Sequence, residues 1–300
     1  MLSSAPTLKT LAVIGDMSDY SQRFLFEKTD IRGDMVHLDQ SYLAVAERYP
    51  PAVAKLLGQF LSASVLLGST IKFDGRLVLQ ARGAGELKLV VAECRFNGDI
   101  RGIARLNSEA ASDNFGALLG DGTLVMTIES ASGQSYQSLV PLLGENLAAC
   151  LEFYFQQSEQ LATRIWLSSD LQRAGGLLLQ QLPRQLVMDP IVRARQWEHV
   201  TILAATTTSE ELLDLAPAEL LQRLYVEDPV CLTDLKSVQF QCSCTPARTA
   251  NALLLLGQDE VNDLFAELPQ VVMDCEFCGH QYTFTKDSLA EILRAGEVSH

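Results

Sequence analysis

The chain has 300 residues, of which 48% are hydrophobic and 20% charged, with a formal net charge of −14 at pH 7. This length and apolar content suit two or more domains with a sizeable core, and exclude disorder, collagen and coiled coil as descriptions of the whole. No apolar run approaches the length of a membrane-spanning helix, about 20 residues, so we expect a cytoplasmic protein with no membrane partner. The negative charge disfavours nucleic acid as a partner and favours proteins or small ligands.

The first 186 residues have the pattern of one α+β domain in which helices pack on a mixed sheet. The predicted elements are strands on either side of Thr29–Asp30, a helix from Pro51, an antiparallel meander (77–81, 87–94 and 100–106), a strand at 124–129, a helix at 146–160, and strands at 164–167 and 177–182. We expect the last two strands to close the same sheet as the meander.

The sequence becomes acidic and helix-prone after this domain. Residues 187–300 carry 7 Lys and Arg against 18 Asp and Glu. Short helices are predicted at 209–215 and 217–225, and each is too short to be stable without packing, so we interpret 187–238 as a helical linker. A domain of about 60 residues buries too little surface for a strong core. Residues 239–300 are therefore predicted to form a small domain that needs a further stabilising element.

Four cysteines in this last segment form two close pairs. Cys242 and Cys244 give C-x-C, and Cys275 and Cys278 give C-x-x-C after thirty intervening residues. Four thiolates in two pairs match a tetrahedral zinc site that joins two segments of chain. Four protein ligands leave no open position for water, which disfavours a hydrolytic centre. The sequence therefore predicts one Zn²⁺ held by four cysteines in the reduced protein.

The residues alone leave the role of this site open between a permanent structural staple and a redox switch. Each pair is close enough to form a disulfide, and oxidation would remove the ligands. A zinc-ribbon module for nucleic acid is disfavoured by the acidic charge of this region. A thiol-disulfide oxidoreductase is disfavoured because its motif opens a helix, whereas strand-like runs flank Cys275 and Cys278.

The remaining motifs point away from an enzyme. The chain has no G-x-x-x-x-G-K-[ST] loop for ATP and no G-x-S-x-G nucleophile motif. Cys94 and Cys150 lie in apolar settings and are predicted to be core residues. Cys231 lies just before the four-cysteine set, and its role stays open.

Many short segments, in order along nearly the whole chain, resemble one known family. They are Arg23-Phe24, Ile31-Arg32-Gly33, Tyr49-Pro50, Leu56-Leu57-Gly58, Lys72-Phe73-Asp74-Gly75, Leu79-Gln80, Val91-Ala92-Glu93, Arg101-Gly102, Tyr136-Gln137-Ser138, Gln157-Ser158-Glu159-Gln160, the run from Ala174 to Gln180, and the four cysteines. The combination resembles the redox-regulated 33 kDa heat-shock chaperones, also called 33 kDa chaperonins. Thr245-Pro246-Ala247 departs from the more polar, basic stretch that members often carry.

The resemblance implies an ATP-independent holdase that is inactive when reduced and zinc-bound. Oxidation would release zinc, form disulfides between Cys242 and Cys244 and between Cys275 and Cys278, and unfold the C-terminal domain and linker. The active form would be a homodimer that holds unfolded or partly folded client proteins. On this basis we expect a client-binding and dimerisation domain at 1–186, a helical linker at 187–238 and a redox-switch domain at 239–300.

Overall fold

The structure is a computed structural model that describes residues 18–70, 74–108 and 112–297. Lys72 and Phe73, which belong to one of the segments above, lie outside these residues. The chain divides into two compact units, Met1–Phe240 and Gln241–His300. The three-part division at 186 and 238 stays a prediction.

In the described residues, the first unit contains twelve strands and seven α-helices, and one π-helical turn at Phe155–Glu159. In chain order the strands and α-helices are β1 (Tyr20–Phe26), β2 (Ile31–Leu38), α1 (Gln40–Ala46), α2 (Pro51–Gly68), β3 (Gly75–Arg82), β4 (Leu87–Arg95), β5 (Asp99–Leu106), α3 (Phe115–Leu119), β6 (Thr123–Ser130), β7 (Ser135–Pro141), α4 (Leu147–Tyr154), β8 (Thr163–Ser169), β9 (Ala174–Gln181), α5 (Pro190–Ala204), α6 (Ser209–Asp214), α7 (Pro217–Leu224), β10 (Val230–Leu232), β11 (Lys236–Ser237) and β12 (Gln239–Phe240).

These strands form two six-stranded sheets. The meander sheet has the order β12-β5-β4-β3-β6-β7 and is mixed, because β12 runs parallel to β5 while the other pairs are antiparallel. The hairpin sheet has the order β10-β1-β2-β9-β8, with β11 also paired to β1. The predicted N-terminal strands, the meander and the helix from Pro51 are thus confirmed, as is the α+β class.

One sheet-level expectation is wrong. The strands predicted to close the meander, β8 and β9, belong to the hairpin sheet, where β9 pairs with β2 from Leu38 opposite Ala174 to Ile31 opposite Gln181. The choice of partner for a strand depends on packing between segments far apart in sequence. Local alternation of apolar residues predicts that a strand forms but not which sheet it joins.

Helix α2 lies in the core between the sheets and contacts strands of both. Leu57, Phe60 and Leu61 are fully buried in its middle. Among the described helices, only α2 is long and apolar enough to cross a membrane by length and composition. This corrects the expectation that no apolar run approaches that length, but 72% of the helix is buried. A long, mostly apolar helix that is largely buried inside the fold is a core helix.

A second core lies on the opposite face of the hairpin sheet and is covered by α5, α6 and α7, which we call the helical layer. The sheet contributes Phe24, Phe26, Ile31, Met35, Leu177 and Leu179, and the layer contributes Val200, Ala204, Leu212, Leu220, Leu221, Leu224 and Tyr225. The predicted helices at 209–215 and 217–225 are confirmed as α6 and α7. Burial against the sheet supplies the packing that such short helices need.

The second unit is small. Its elements are α8 (Pro246–Leu254), α9 (Gln258–Glu267), β13 (Val271–Asp274), β14 (Gln281–Phe284) and α10 (Lys286–Glu297). The two strands form an antiparallel hairpin. Among the side chains that the structure describes, the buried apolar core consists of Ala250, Leu253, Val261, Phe284 and Leu289, and six partly buried hydrophobic side chains pack against it. Such a small buried core is weak support for a folded unit.

Candidate metal centre

The four cysteines come from two places in the second unit. Cys242 and Cys244 lie in the non-helical segment that leads into α8, where the Thr245 side chain accepts from the Arg248 backbone N–H and Pro246 is in the first turn. The stretch that departs from the family pattern therefore forms a regular helix start. Cys275 and Cys278 lie in the turn between β13 and β14.

The β13–β14 turn has a backbone geometry that holds its two cysteines close together. The Cys275 N–H donates to the His280 carbonyl at 2.9 Å, and the Gly279 N–H donates to the Cys275 carbonyl at 2.7 Å. Gly279 has φ +72°, a left-handed conformation that favours glycine. Gly279 therefore provides the tight turn that follows the last cysteine.

The structure brings the four sulfur atoms together. All four lie within 4.8 Å of one another, with 3.6 Å between the sulfurs of Cys242 and Cys275 and 3.5 Å between those of Cys244 and Cys278. None is in a disulfide. A tetrahedral zinc with Zn–S bonds of about 2.3 Å places its sulfurs about 3.8 Å apart. The donor set and spacing therefore fit a four-coordinate ion such as Zn²⁺.

The protonation of the thiols is uneven. The Tyr282 hydroxyl donates to the Cys244 sulfur at 3.1 Å and lowers the pKa of this thiol to about 7. Burial raises the pKa of Cys242, and burial raises the pKa of Cys278 to about 12. Cys244 therefore ionises more readily than Cys242 or Cys278. A coordinated cation would deprotonate the others.

Tyr282 is a contact that sequence reasoning missed. It lies two residues before the buried Phe284, so both side chains point to one face of β14, and their rings stack 6.4 Å apart. The His280 ring packs edge-on against Tyr282 at 4.6 Å and is not part of the sulfur cluster. The period of two in Gln281–Phe284 could have placed Tyr282 beside Phe284, but not its hydroxyl on Cys244.

The other three cysteines belong to the first unit. Cys94 and Cys150 are buried, as predicted for core residues, and burial raises the pKa of Cys94 to about 12. Cys231 is half-buried in β10, opposite Leu25 of β1, and its sulfur contacts a Glu27 carboxylate oxygen at 3.1 Å. The structure thus separates these three thiols by environment from the sulfur cluster.

Fold and site together define a two-unit α+β protein whose small unit is built around a four-cysteine cluster. The family model described as Hsp33 protein matches residues 19–285. The chain is 47% identical over 280 residues to the 33 kDa chaperonin of Pseudomonas paraeruginosa, with 92% of this chain and 94% of that protein covered. It is 48% identical over 281 residues to the 33 kDa chaperonin of Ectopseudomonas mendocina, with 92% and 95% covered. The chain belongs to the Hsp33 family of 33 kDa chaperonins, which are chaperones and not enzymes.

A solved structure has the same fold. The 33 kDa chaperonin of Thermotoga maritima superposes with a TM-score of 0.76 over 93% of this chain and 99% of that chain, at 20% sequence identity. The family expected from the sequence segments is confirmed by the family model and by the two Pseudomonas-group relatives. At this identity the structural likeness supports the fold alone.

Proposed function

We propose that this chaperone is a redox-regulated, ATP-independent holdase that protects unfolding proteins during oxidative and heat stress. The observation that carries the proposal is the cluster of four thiols within 4.8 Å in a unit with a five-residue apolar core. Such a unit depends on its cysteines for stability, so a change in their oxidation state changes whether it folds.

In the reduced state Cys242, Cys244, Cys275 and Cys278 hold Zn²⁺ as thiolates. The bound ion supplies the link between two chain segments, and structural zinc contributes about 10 to 16 kcal/mol in small metal-folded domains. The Tyr282 hydroxyl donates a hydrogen bond to the Cys244 sulfur, which orients this ligand and stabilises the negative charge of its thiolate. In this state the helical layer stays on the hairpin sheet and the chaperone is inactive.

Oxidation removes the ligands. Two thiols give two electrons and two protons to one hydrogen peroxide, which becomes two waters, and an S–S bond forms; four thiols therefore reduce two peroxides and form two disulfides. The resemblance assigns the bonds to Cys242–Cys244 and Cys275–Cys278. In the reduced structure, sulfurs of the two different segments also approach to 3.6 Å and 3.5 Å. If the ion leaves and the two segments part before the S–S bonds form, the neighbour in sequence is the nearest thiol for each cysteine.

Loss of the second unit leads to activation by opening the first. The helical layer covers six apolar side chains of the hairpin sheet. Undocking would expose a contiguous apolar face, the kind of surface that binds unfolded or partly folded clients. The oxidised protein is expected to form a homodimer and to act in the cytoplasm.

One experiment follows zinc release, thiol number and client aggregation on a single sample moved from reductant into peroxide at mild heat. We expect one zinc to leave as four thiols disappear, and aggregation to fall in step. Cys231→Ser is the matched control, because it removes a thiol outside the cluster and should leave zinc release and protection unchanged. Zinc that stays bound, or leaves with no gain in protection, would reduce the site to a structural staple.

The two alternatives left by the sequence are disfavoured by particular observations. Cys275 and Cys278 lie in a hairpin turn and not at the start of a helix, so they lack the setting of a dithiol oxidoreductase motif. Residues 187–300 carry more than twice as many acidic as basic side chains, which opposes phosphate binding.

A further inference from the structure

Asp30, in the turn between β1 and β2, is a buried carboxylate surrounded by donors from the chain between β9 and α5. The backbone N–H groups of Gln185, Leu186 and Val187 donate to its two oxygens at 3.3, 2.8 and 3.2 Å. The Arg193 guanidinium forms an ion pair with the same carboxylate. We call this arrangement the Asp30 clasp.

The clasp is continuous with the sheet on one side and with the helical layer on the other. Arg193 also donates to the Leu182 carbonyl at 2.8 Å, and its own carbonyl accepts from the Gln181 side chain at 3.2 Å. The Leu182 N–H donates to the Asp30 carbonyl at 2.7 Å. The end of β9 and the first turns of α5 are thus tied to one buried charge pair.

Helix α5 has little else to hold its first half. Of its 15 residues only Arg193, Val200 and Ala204 are buried, and the latter two lie in the second half. Ile191 and Val192, beside Arg193, are 63% and 41% exposed. The attachment of this end of the layer therefore depends on a polar contact, whereas α6 and α7 are attached by buried leucines.

A buried ion pair responds strongly to loss of one partner. Asp30 is 5% and Arg193 is 8% exposed, so removing either side chain leaves the other charge away from water, with backbone hydrogen bonds but without the opposite charge. Undocking of α5 solvates both groups and relieves that penalty. Damage to the clasp is therefore relieved by local opening of the layer.

We propose that the Asp30 clasp fastens the N-terminal end of the helical layer to the hairpin sheet and sets how readily the layer opens. Asp30 and Arg193 are positioning residues, because they hold α5 against the hairpin sheet and do not themselves bind a client. The effect of opening on clients rests on the proposed function, but the clasp itself is tested by a readout that needs no client.

The test is hydrogen exchange of the full-length, reduced, zinc-loaded protein. We expect Arg193→Met to accelerate exchange of the α5 amides about 100-fold or more while the α2 amides keep their wild-type rates. Arg193→Lys keeps the charge but not the two-pronged contact with Asp30 and Leu182, so we expect about 10-fold. This conservative variant also keeps the test informative if Arg193→Met does not fold.

The matched control is Arg223→Met. Arg223 pairs with Glu211 within the helical layer and its side chain is 64% exposed, so less than about 5-fold acceleration is expected. The double variant Asp30→Asn/Arg193→Met should accelerate exchange by less than the product of the two single effects, because the second change removes a charge the first has stranded.

Two results overturn the clasp: acceleration in α5 no larger than in Arg223→Met, or equal acceleration in α2, which indicates loss of global stability. Client protection is measured on the same reduced samples. Fast exchange confined to the layer without a gain in protection keeps the clasp and contradicts the proposed client surface, so the two hypotheses fail separately.

Discussion

The two units differ in the kind of interaction that stabilises each of them internally. The first unit buries α2 between two six-stranded sheets and has a second apolar core under the helical layer. Among the described side chains, the second unit buries five apolar ones and brings four sulfurs together. Apolar packing is spread over many contacts and loses stability in increments, whereas a metal centre is lost as a whole once its ligands change. One chain thus contains a unit stabilised mainly by packing and a unit that depends on the chemistry of four cysteines.

Metal removal should give the largest difference in response between the two units. We expect a strong zinc chelator in the presence of reductant to abolish amide protection in β13 and β14 and to leave α2 protected, because structural zinc contributes about 10 to 16 kcal/mol to such units. Hydrogen exchange with mass spectrometry measures both regions at once. The control is the same chelator already saturated with zinc. Protection of β13 and β14 in protein shown to be metal-free would contradict the claim that the second unit depends on its metal for stability.

A cavity in the first core should destabilise the first unit and leave the second unit unaffected, the reverse of metal removal. Phe60→Ala removes a fully buried ring from α2 and should lower the free energy of unfolding of the first unit by about 3 to 5 kcal/mol. Zinc content should stay unchanged. The control is Phe153→Ala, near the C-terminal end of α4. Phe153 is 48% exposed, so its removal should lower the free energy of unfolding much less. Denaturant unfolding and metal analysis give the two readouts.

The contribution of Asp30 should depend on pH. Burial by itself raises the pKa of this carboxyl, but the three backbone N–H donors and Arg193 outweigh it and hold the pKa below its usual value. A depressed folded pKa gives stability that is full above the unfolded value, about 4, and is lost as pH falls through the folded pKa. We expect the stability difference between wild type and Asp30→Asn to be largest near neutral pH and to shrink in acid. A stability difference that grows in acid would contradict a lowered pKa for Asp30 in the folded protein.

The smallest expected effect is on the sulfur cluster itself. Tyr282→Phe keeps the ring contacts with His280 and Phe284 and removes the donor to Cys244, so we expect about a tenfold loss of metal affinity with the fold retained. Competition with a chromogenic chelator measures it. Tyr136→Phe, at an exposed tyrosine of β7 in the first unit, is the control. Equal affinities for Tyr282→Phe and wild type would show that the hydroxyl contact is incidental.

Features that depend on neighbouring residues could be predicted from the sequence. The spacing of Cys242, Cys244, Cys275 and Cys278, the turn at Gly279 and the apolar period of α2 each depend on residues close together along the chain. Such features are set by dihedral preferences and by side-chain direction, which act over a few residues. The same features, with the ordered segments, were sufficient to indicate the family.

Packing over the whole fold settled which segments meet. It placed β8 and β9 beside β2 and not beside the meander, laid α5 to α7 on the hairpin sheet, aimed the Tyr282 hydroxyl at Cys244, and closed Arg193 on Asp30 across 163 positions of sequence. Contacts of this kind are selected by burial and by satisfaction of buried polar groups over the whole fold. No local pattern encodes the partner, because each segment is compatible with several partners until the core excludes the others.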